Sequence, residues 1–495
     1  MKRRDFLSAS LATSALLPIH EISAGPLALA RVNRQLPART LTGGETSLDS
    51  SDVEALDASL HGQVILPGAV DYDAARQVWN GIFDKRPALI ARCSGAADVI
   101  RAVNFAREHA LLTAVRGGGH SYSGKSSCDG GIVIDLSPMR GVQVNPDAQT
   151  ARVAAGTLLG QLDHEAQTFG LVTPAGVISH TGAAGLTLGG GFGRLSRRFG
   201  LTCDNLLEAD VVTADGRYIR ASNSENADLF WGLRGGGGNF GAVTSFKYRL
   251  YPMAPQVLAG AVAWPFDQAR DVLRFFAEYS LNIPDELYLI ASLLRNSEGT
   301  PFVNIGVLWS TDHAQGKQAL EPLRSFGKPF RDTIGPASYL QLQSQNDWTQ
   351  PFGLNYYNKS GFSQQLSDDA VDLVLDVFED SPHPFSLFMT LEGGAIGRVA
   401  PDATAFPNRD ALYWLAISGQ WQDPAISEER VGVMRADWQR LQPLTRGFYT
   451  NSAMNESDAR YRSNYGANFD RLVALKNKFD PHNLFRLNAN VAPTV

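Results

Sequence analysis

Three glycine-dense stretches constrain the fold of this 495-residue chain more than any other feature of its sequence. They lie at residues 117–119, 182–193 and 235–238, each beside an apolar run. Glycine permits positive φ and lets backbone amides approach a ligand closely, and successive amides form a concave surface that binds anions. Three such stretches in one part of the chain indicate an extended ligand that contains a pyrophosphate. Tight turns in a compact β-rich fold are the alternative.

Two segments match the sequence patterns of nucleotide-binding motifs but lack the neighbouring structure that those motifs require. GHSYSGKS at 119–126 fits the triphosphate loop, which requires a helix directly after it. Residues 127–131 instead contain two glycines and an aspartate, so a turn is predicted, and we expect Lys125 to face solvent. GGGNFG at 236–241 fits the dinucleotide motif but precedes a strand-like alternation without the acidic residue that the motif needs ~20 positions on. Neither ATP nor NAD binding is predicted.

The chain is longer than one typical core supports, which favours two domains. Residues 31–60, rich in Ser, Thr, Asp and Gly, are expected to form a loose leader. From 61 to about 251, short apolar runs alternate with helical patterns, which predicts a mixed α/β unit. Beyond 251, longer strands alternate with amphipathic helices, which predicts an antiparallel sheet backed by helices. We therefore expect an α+β protein.

The first 30 residues have the layout of an export signal. Arg3 and Arg4 precede a mildly apolar run that ends at Ile19, and small-residue cleavage candidates follow at Ala24 and Ala30. This pattern predicts a twin-arginine signal and a periplasmic or extracellular location. No segment is long and apolar enough to predict a membrane span.

Composition limits the classes of partner that we expect the protein to bind. The net charge of −6 argues against a nucleic-acid partner, since duplex binding normally needs a basic surface. The three cysteines form no C-x-x-C pair, so no metal site built on thiolates is predicted. A small-molecule substrate remains the expected partner, and the oligomeric state is left open.

Four blocks, at residues 86–139, 175–217, 229–244 and 465–493, resemble in the same order the FAD-linked oxidases of the berberine-bridge-enzyme-like group. This group belongs to the vanillyl-alcohol oxidase superfamily, with its PCMH-type FAD-binding fold. The resemblance implies a two-subdomain FAD domain over 61–252, completed by residues 460–495. It also implies an inserted substrate domain over 253–459.

The resemblance implies a covalent bond between His120 and the 8α position of FAD. Relatives often hold a second bond through a cysteine whose position is taken here by Ile178, so we expect attachment through His120 alone. The implied FAD-binding residues are Arg116, Gly117, Gly118, Gly119, His120, Ser121, Tyr122, Gly176, Val177, Thr181, Gly182, Gly185, Gly190, Val243 and Asn488.

The implied reaction is oxidation of an alcohol, sugar, amine or activated C–H substrate, with oxygen or another acceptor reoxidising the flavin. Tyr465 matches a tyrosine that faces the flavin in relatives and is a candidate base or a packing residue. Tyr413 is a second catalytic candidate. Glu392 and Trp421, like Tyr413, lie on predicted strands of the substrate domain that could face the flavin ring. His180 is a candidate base or a residue of the loop lining. The alternative is a non-redox ligand-binding protein with a vestigial flavin site.

Overall fold

The computed structural model describes residues 35–454 and 456–495. The predicted export signal lies outside these residues. Among the helices of the described chain, none combines the length and the apolar character that crossing a bilayer requires. Cys93, Cys128 and Cys203 are buried free thiols.

The strands, numbered in chain order, are β1 (Gln35–Arg39), β2 (Glu45–Asp49), β3 (Gln63–Ile65), β4 (Leu89–Arg92), β5 (Thr113–Arg116), β6 (Ile132–Asp135), β7 (Val142–Asn145), β8 (Thr150–Ala154), β9 (Leu171–Val172), β10 (Leu206–Val212), β11 (Tyr218–Ser222), β12 (Ala242–Arg249), β13 (Tyr251–Pro252), β14 (Gln256–Pro265), β15 (Leu287–Arg295), β16 (Pro301–Trp309), β17 (Arg331–Asp332), β18 (Gly335–Ser338), β19 (Asn355–Ser363), β20 (Ser386–Leu391) and β21 (Tyr413–Trp421). The helices are α1 (Ser50–Ser59), α2 (Tyr72–Arg76), α3 (Ala96–Glu108), α4 (Leu159–Thr168), α5 (Ala183–Leu188), α6 (Ser196–Phe199), α7 (Ala227–Leu233), α8 (Ala269–Ser280), α9 (His313–Arg324), α10 (Tyr339–Ser344), α11 (Asp368–Asp380), α12 (Ser427–Leu441), α13 (Asp458–Tyr465) and α14 (Phe469–Phe479). This mixture of helices and largely antiparallel sheets confirms the α+β class.

The expectation of a loose leader over 31–60 is wrong for residues 35–59. β1 and β2 form an antiparallel pair, and α1 packs against α3. Leu36, Leu48, Val53 and Leu56 are buried in the main core of the first half of the chain. The polar composition of this segment describes its exposed faces, whereas these four apolar side chains fix its place.

Two sheets build the first half of the chain. A four-stranded sheet has the order β3-β4-β6-β5, with β4 and β5 each parallel to β6. A five-stranded antiparallel sheet has the order β11-β10-β12-β8-β7. One continuous apolar core, which includes Val99 and Phe105 of α3, joins the two sheets and receives Leu472 and Phe479 of α14. The C-terminal helix therefore belongs to the core of the first half.

An eight-stranded sheet dominates the second half, with the order β17-β14-β16-β15-β20-β21-β19 and β18 also paired to β14. Side chains alternate across each strand, so successive residues enter different surroundings. Helices α8, α11 and α12 cover one face and share an apolar core with it. The opposite face meets the first half of the chain, and this contact places the candidate site.

Candidate active site

The first two glycine-dense stretches touch each other through their backbones. Gly118 follows β5, and Gly182 precedes α5. A Cβ added to Gly118 would lie 2.5 Å from the Cα of Gly182, and a Cβ added to Gly182 would lie 2.5 Å from the amide nitrogen of Gly118. Only glycine fits at either position, since real Cβ atoms do not approach backbone atoms so closely.

The third stretch and the C-terminal tail close the same region. The N–H groups of Gly235 and Gly237 both donate to the Leu188 carbonyl at the end of α5, at 3.1 and 2.8 Å. The Asn488 side chain donates to the Gly238 carbonyl at 2.9 Å. Three glycine-dense stretches and the tail thus converge on one surface, where closely spaced amides form a surface suited to an anionic ligand.

Lys125 ties the tail to the first stretch rather than facing solvent as expected. Its ammonium donates to the Asn488 carbonyl at 2.6 Å and to the Tyr461 hydroxyl at 3.3 Å. Burial lowers the pKa of Lys125 to about 8. The residues after it form turns and not a helix, which agrees with the rejection of a triphosphate loop.

His120 lies in a column of aromatic rings. It stacks on Trp79 with centroids 4.2 Å apart, and Trp79 stacks in turn on Tyr356 of β19 at 3.8 Å. The His120 Nε2 atom is buried and has no hydrogen-bond partner among residues 35–454 and 456–495. Burial and the neighbouring His180 lower the pKa of His120 to about 3. The imidazole is therefore neutral and keeps a free lone pair at any working pH.

The loop over residues 176–181 is held between the two halves of the chain. Gln343 of α10 donates to the Gly176 carbonyl at 2.9 Å. Ser179 donates to the carboxylate of Asp347 through its N–H and its hydroxyl. Ile178 is half-buried in this loop.

The face of the eight-stranded sheet that is turned away from the helices carries buried polar groups. Leu387, Met389 and Leu391 of β20 enter the helix-covered core, so Thr390 and then Glu392 point to the other side. Trp414, opposite Thr390 on β21, contacts Phe192 of the second glycine-dense stretch at a centroid distance of 6.4 Å. This face therefore meets the surface formed by the glycine-dense stretches.

Three polar atoms on this face are buried and have no hydrogen-bond partner within the described chain: Oε1 of Glu392, Nε1 of Trp414 and Oδ1 of Asn358. Burial raises the pKa of Glu392 to about 8, and the nearby Arg197 opposes this shift. A buried polar atom without a protein partner marks a place where a polar ligand group is favoured. Sequence analysis missed Asn358 and Trp414.

Tyr413 lies on the opposite face of this sheet, so the structure does not support its prediction as a catalytic residue. It is an odd-numbered residue of β21 and belongs to the core under the helices. Its hydroxyl shares a hydrogen bond with Ser280 of α8. Trp421 lies on the same face and donates to the Ser427 hydroxyl at 2.8 Å. Both side chains point away from Glu392 because the strand alternates.

The environment of Tyr465 favours packing, which is one of its two predicted roles, over catalysis. It is fully buried in the core of the first half, and its hydroxyl donates to the Gly235 carbonyl at 3.3 Å. Burial raises the pKa of Tyr465 above its usual range. Tyr465 therefore packs against the third glycine-dense stretch and bonds to its backbone.

The remaining predicted residues lie around the same surface. Tyr122 packs edge-on against Trp79, and the Ser121 hydroxyl accepts the Lys125 N–H at 3.2 Å. The other positions have these environments: Arg116 donates to the Ala75 carbonyl, Gly117 is half-buried, Gly119 has φ +69°, Val177 and Thr181 are half-buried, Gly185 is exposed, Gly190 has φ +119° and Val243 is buried in β12.

These residues fit FAD. The crossing of Gly118 and Gly182 leaves backbone amides uncovered by side chains, as a pyrophosphate requires. His120 offers a neutral ring nitrogen, and the Oδ1 atom of Asn488 is buried without a partner in the part of the chain that the structure describes. The donor set is amides, amide side chains and imidazole, which suits an uncharged ring system attached to a diphosphate.

Comparison with known proteins agrees. The FAD binding domain family model matches residues 87–222, and the berberine and berberine-like model matches residues 449–492. An FAD-linked oxidoreductase of Dictyostelium discoideum is 33% identical over 445 residues, which cover 88% of this chain and 95% of that protein. The (R)-6-hydroxynicotine oxidase of Paenarthrobacter nicotinovorans is 31% identical over 464 residues, which cover 89% of this chain and 98% of that protein.

A solved structure of 6-hydroxy-D-nicotine oxidase from Arthrobacter nicotinovorans matches this fold with a TM-score of 0.81 and 29% identity, covering 88% of this chain and 98% of that one. Fold and site together define an FAD-binding oxidoreductase with a PCMH-type fold. The chain belongs to the berberine-bridge-enzyme-like FAD-linked oxidoreductases of the vanillyl-alcohol oxidase superfamily. This membership sets aside the alternative of a non-redox binding protein.

Proposed function

We propose that this enzyme carries FAD bound covalently through His120 alone and oxidises a small molecule held between the flavin and the polar face of the eight-stranded sheet. The observation that carries the proposal is the neutral His120 imidazole, with a buried and unpartnered Nε2, directly after the Gly118–Gly182 crossing. Ile178 and its neighbours offer no thiol for a second bond.

In the proposed reaction, different residues bind the cofactor, orient the substrate and accept the proton. The backbone amides of the glycine-dense stretches hold the pyrophosphate, and Asn488 orients the ring system. FAD supplies the two-electron acceptor for the hydride that leaves the substrate carbon. Asn358 and the Trp414 N–H orient the polar groups of the substrate. Glu392 accepts the proton of the substrate hydroxyl or amine, since its pKa near 8 lies close to a working pH.

The test is acid precipitation of the purified full-length enzyme, followed by flavin absorption of the pellet and the supernatant. We expect flavin in the pellet of the wild type and none in the pellet of His120→Ala. His164→Ala, which changes an exposed histidine on α4, is the matched control and should keep the pellet coloured. Pellet flavin in His120→Ala would show that another residue carries the bond.

Two further parts of the proposal follow the sequence. We propose that residues 61–252 and 460–495 form the FAD domain and 253–459 the substrate domain, which the separate apolar cores of the two halves support. We also propose export by the twin-arginine route, with oxygen or another acceptor reoxidising the flavin. Fractionation of cells that produce the Arg3→Lys, Arg4→Lys double variant tests the export, because the variant should stay in the cytoplasm.

A further inference from the structure

A second histidine lies against His120. The rings of His120 and His180 have centroids 5.0 Å apart and planes inclined by 34°. Both ring nitrogens of His180 are buried, and neither has a hydrogen-bond partner among residues 35–454 and 456–495. A buried imidazole with two unpartnered nitrogens loses hydrogen bonds that water would supply, at about 1–3 kcal/mol for each polar group. Folding tolerates this cost at few positions, and active sites are among them.

Hydrogen bonds of the residues on either side of His180 fix the position of its backbone. Ser179, directly before it, donates its N–H and its hydroxyl to Asp347 of the second half. The Ser179 carbonyl accepts the Gly160 N–H at 2.8 Å, and the Thr181 carbonyl accepts the Leu159 N–H at 2.9 Å. The loop thus presents the His180 ring to His120 through fixed backbone bonds, whereas the ring itself makes no hydrogen bond within the described chain.

The other rings that contact His120 cannot take a proton. Trp79 stacks on His120, and Phe352 approaches both histidines, at 6.3 Å from His120 and 5.4 Å from His180. The carboxylate of Asp347, which contacts this loop, already accepts two hydrogen bonds from Ser179. Among the aromatic rings that contact His120 within the described chain, His180 is therefore the one that can act as a base.

We propose that His180 is a catalytic residue for the covalent attachment of FAD, accepting the proton that leaves the 8α methyl carbon as that carbon bonds to His120. The inference rests on the proposed attachment through His120. It assigns His180 to the formation of the bond and not to substrate oxidation, because the 8α carbon and the hydride-accepting nitrogen belong to different rings of the flavin.

The chemistry balances with molecular oxygen as the oxidant. A C–H bond of the 8α methyl group and the N–H bond of the His120 imidazole break, and one C–N bond forms. The two protons leave, one of them through His180, while two electrons remain on the flavin. Oxygen then takes the two electrons and two protons as hydrogen peroxide, one molecule for each bond formed, and the flavin returns to its oxidised form.

The experiment follows the attachment itself and not substrate turnover. Full-length enzyme is produced in riboflavin-starved cells and mixed with FAD, and samples are quenched in acid at intervals to measure pellet flavin and peroxide. Proton transfer by a positioned side chain typically contributes 10²–10⁴-fold to a rate, so we expect His180→Ala to slow attachment by about 100-fold or more. Free imidazole in the buffer should restore most of the lost rate.

Two controls separate this role from packing. Phe352→Ala removes a ring that contacts both histidines without removing a base, and it should attach flavin within about threefold of the wild-type rate. His180→Ala should still bind FAD non-covalently, as measured by quenching of flavin fluorescence. Attachment by His180→Ala at the wild-type rate, or slow attachment that imidazole does not rescue, would overturn the assignment.

A failure of the proposed attachment through His120 would give a different experimental result. Wild-type enzyme that binds FAD but never retains it in acid would refute the attachment through His120 and, with it, the role of His180. Wild-type enzyme that attaches FAD while His180→Ala attaches it equally fast refutes only the role of His180.

Discussion

Glu392 shows how one buried carboxyl can set the working range of the enzyme. Burial raises its pKa to about 8, so the side chain is protonated in acid and becomes a base as the pH rises through that value. We predict that kcat/KM rises with pH up to about 8 and that Glu392→Gln lowers it by about 100-fold or more while removing this limb. Anaerobic bleaching of the flavin by a substrate, measured from pH 6 to 10, provides the rates.

Tyr413→Phe is the matched control for this prediction. It removes a hydroxyl that is bonded to Ser280 on the helix-covered face, so it should cost about 1 kcal/mol of stability and leave the pH limb in place. A limb that survives in Glu392→Gln and disappears in Tyr413→Phe would reverse the assignment of the two faces.

The difference between Tyr413 and Trp414 also marks what could be predicted from sequence at the level of single residues. The segment was correctly predicted as a strand, but apolar residues occupy both of its faces, so its apolar pattern does not distinguish them. Only the pairing of Thr390 with Trp414 and the burial of Leu391 beside Tyr413 show which face meets the glycine-dense stretches. The two predicted roles of Tyr465 could not be separated for a related reason, since its position in the chain does not reveal that the hydroxyl is turned toward Gly235.

At the scale of elements, we distinguish glycines that the fold requires from glycines that we expect the ligand to require. A Cβ at Gly118 collides with the backbone of Gly182, whereas a Cβ at Gly185 on α5 meets no atom within 4 Å. We predict that Gly118→Ala yields little folded enzyme. Gly185→Ala should raise the stability of flavin-free enzyme by up to about 1 kcal/mol through helix propensity but weaken the binding of FAD.

Thermal unfolding of flavin-free enzyme and titration with FAD measure the two effects separately. Gly185→Ala that binds FAD as tightly as the wild type would show that the flavin does not approach α5. Gly432→Ala on α12, where a Cβ also meets no atom within 4 Å, is the control for the gain from helix propensity alone.

Most elements were predictable because their periodicity is strong. The strands before and after α3, α3 itself and the amphipathic helices α8, α11 and α12 all lie where their patterns place them. β19 was missed because its sequence, NYYNKSGFS, places polar residues at positions that face the site, so it lacks the apolar alternation of a strand. These polar residues include Asn358, which we propose binds the substrate. The same residues that obscure the strand pattern of β19 therefore also made this site residue impossible to predict.

At the scale of the whole molecule, a buried polar cluster joins the two halves. Gln343 of α10 donates to Asp163 of α4 at 3.2 Å and accepts from Arg194, which follows the second glycine-dense stretch, at 2.7 Å. Burial raises the pKa of Asp163 to about 7, although Gln343 and Arg194 oppose the shift. The cluster therefore links the packing of the two halves to the protonation of one carboxyl.

This linkage gives the stability of the molecule a defined dependence on pH. Between about pH 4 and pH 7 the folded state keeps the Asp163 proton and the unfolded state has lost it, so stability falls as the pH rises through this window. At ~1.4 kcal/mol per pKa unit, the shift limits the loss to about 4 kcal/mol. We predict that Asp163→Asn unfolds like the wild type at pH 4 and is more stable at pH 8, as measured by urea unfolding.

Asp147→Asn, which changes an exposed carboxyl of the same half, should leave the pH dependence unchanged. Glu392, whose raised pKa acts in the same direction, contributes to the slope that remains in Asp163→Asn up to pH 8. Unfolding curves of Asp163→Asn that run parallel to those of the wild type from pH 4 to 8 would mean that Arg194 keeps the carboxylate ionised. The contact between the halves would then rest on an ion pair and would be insensitive to pH in this range.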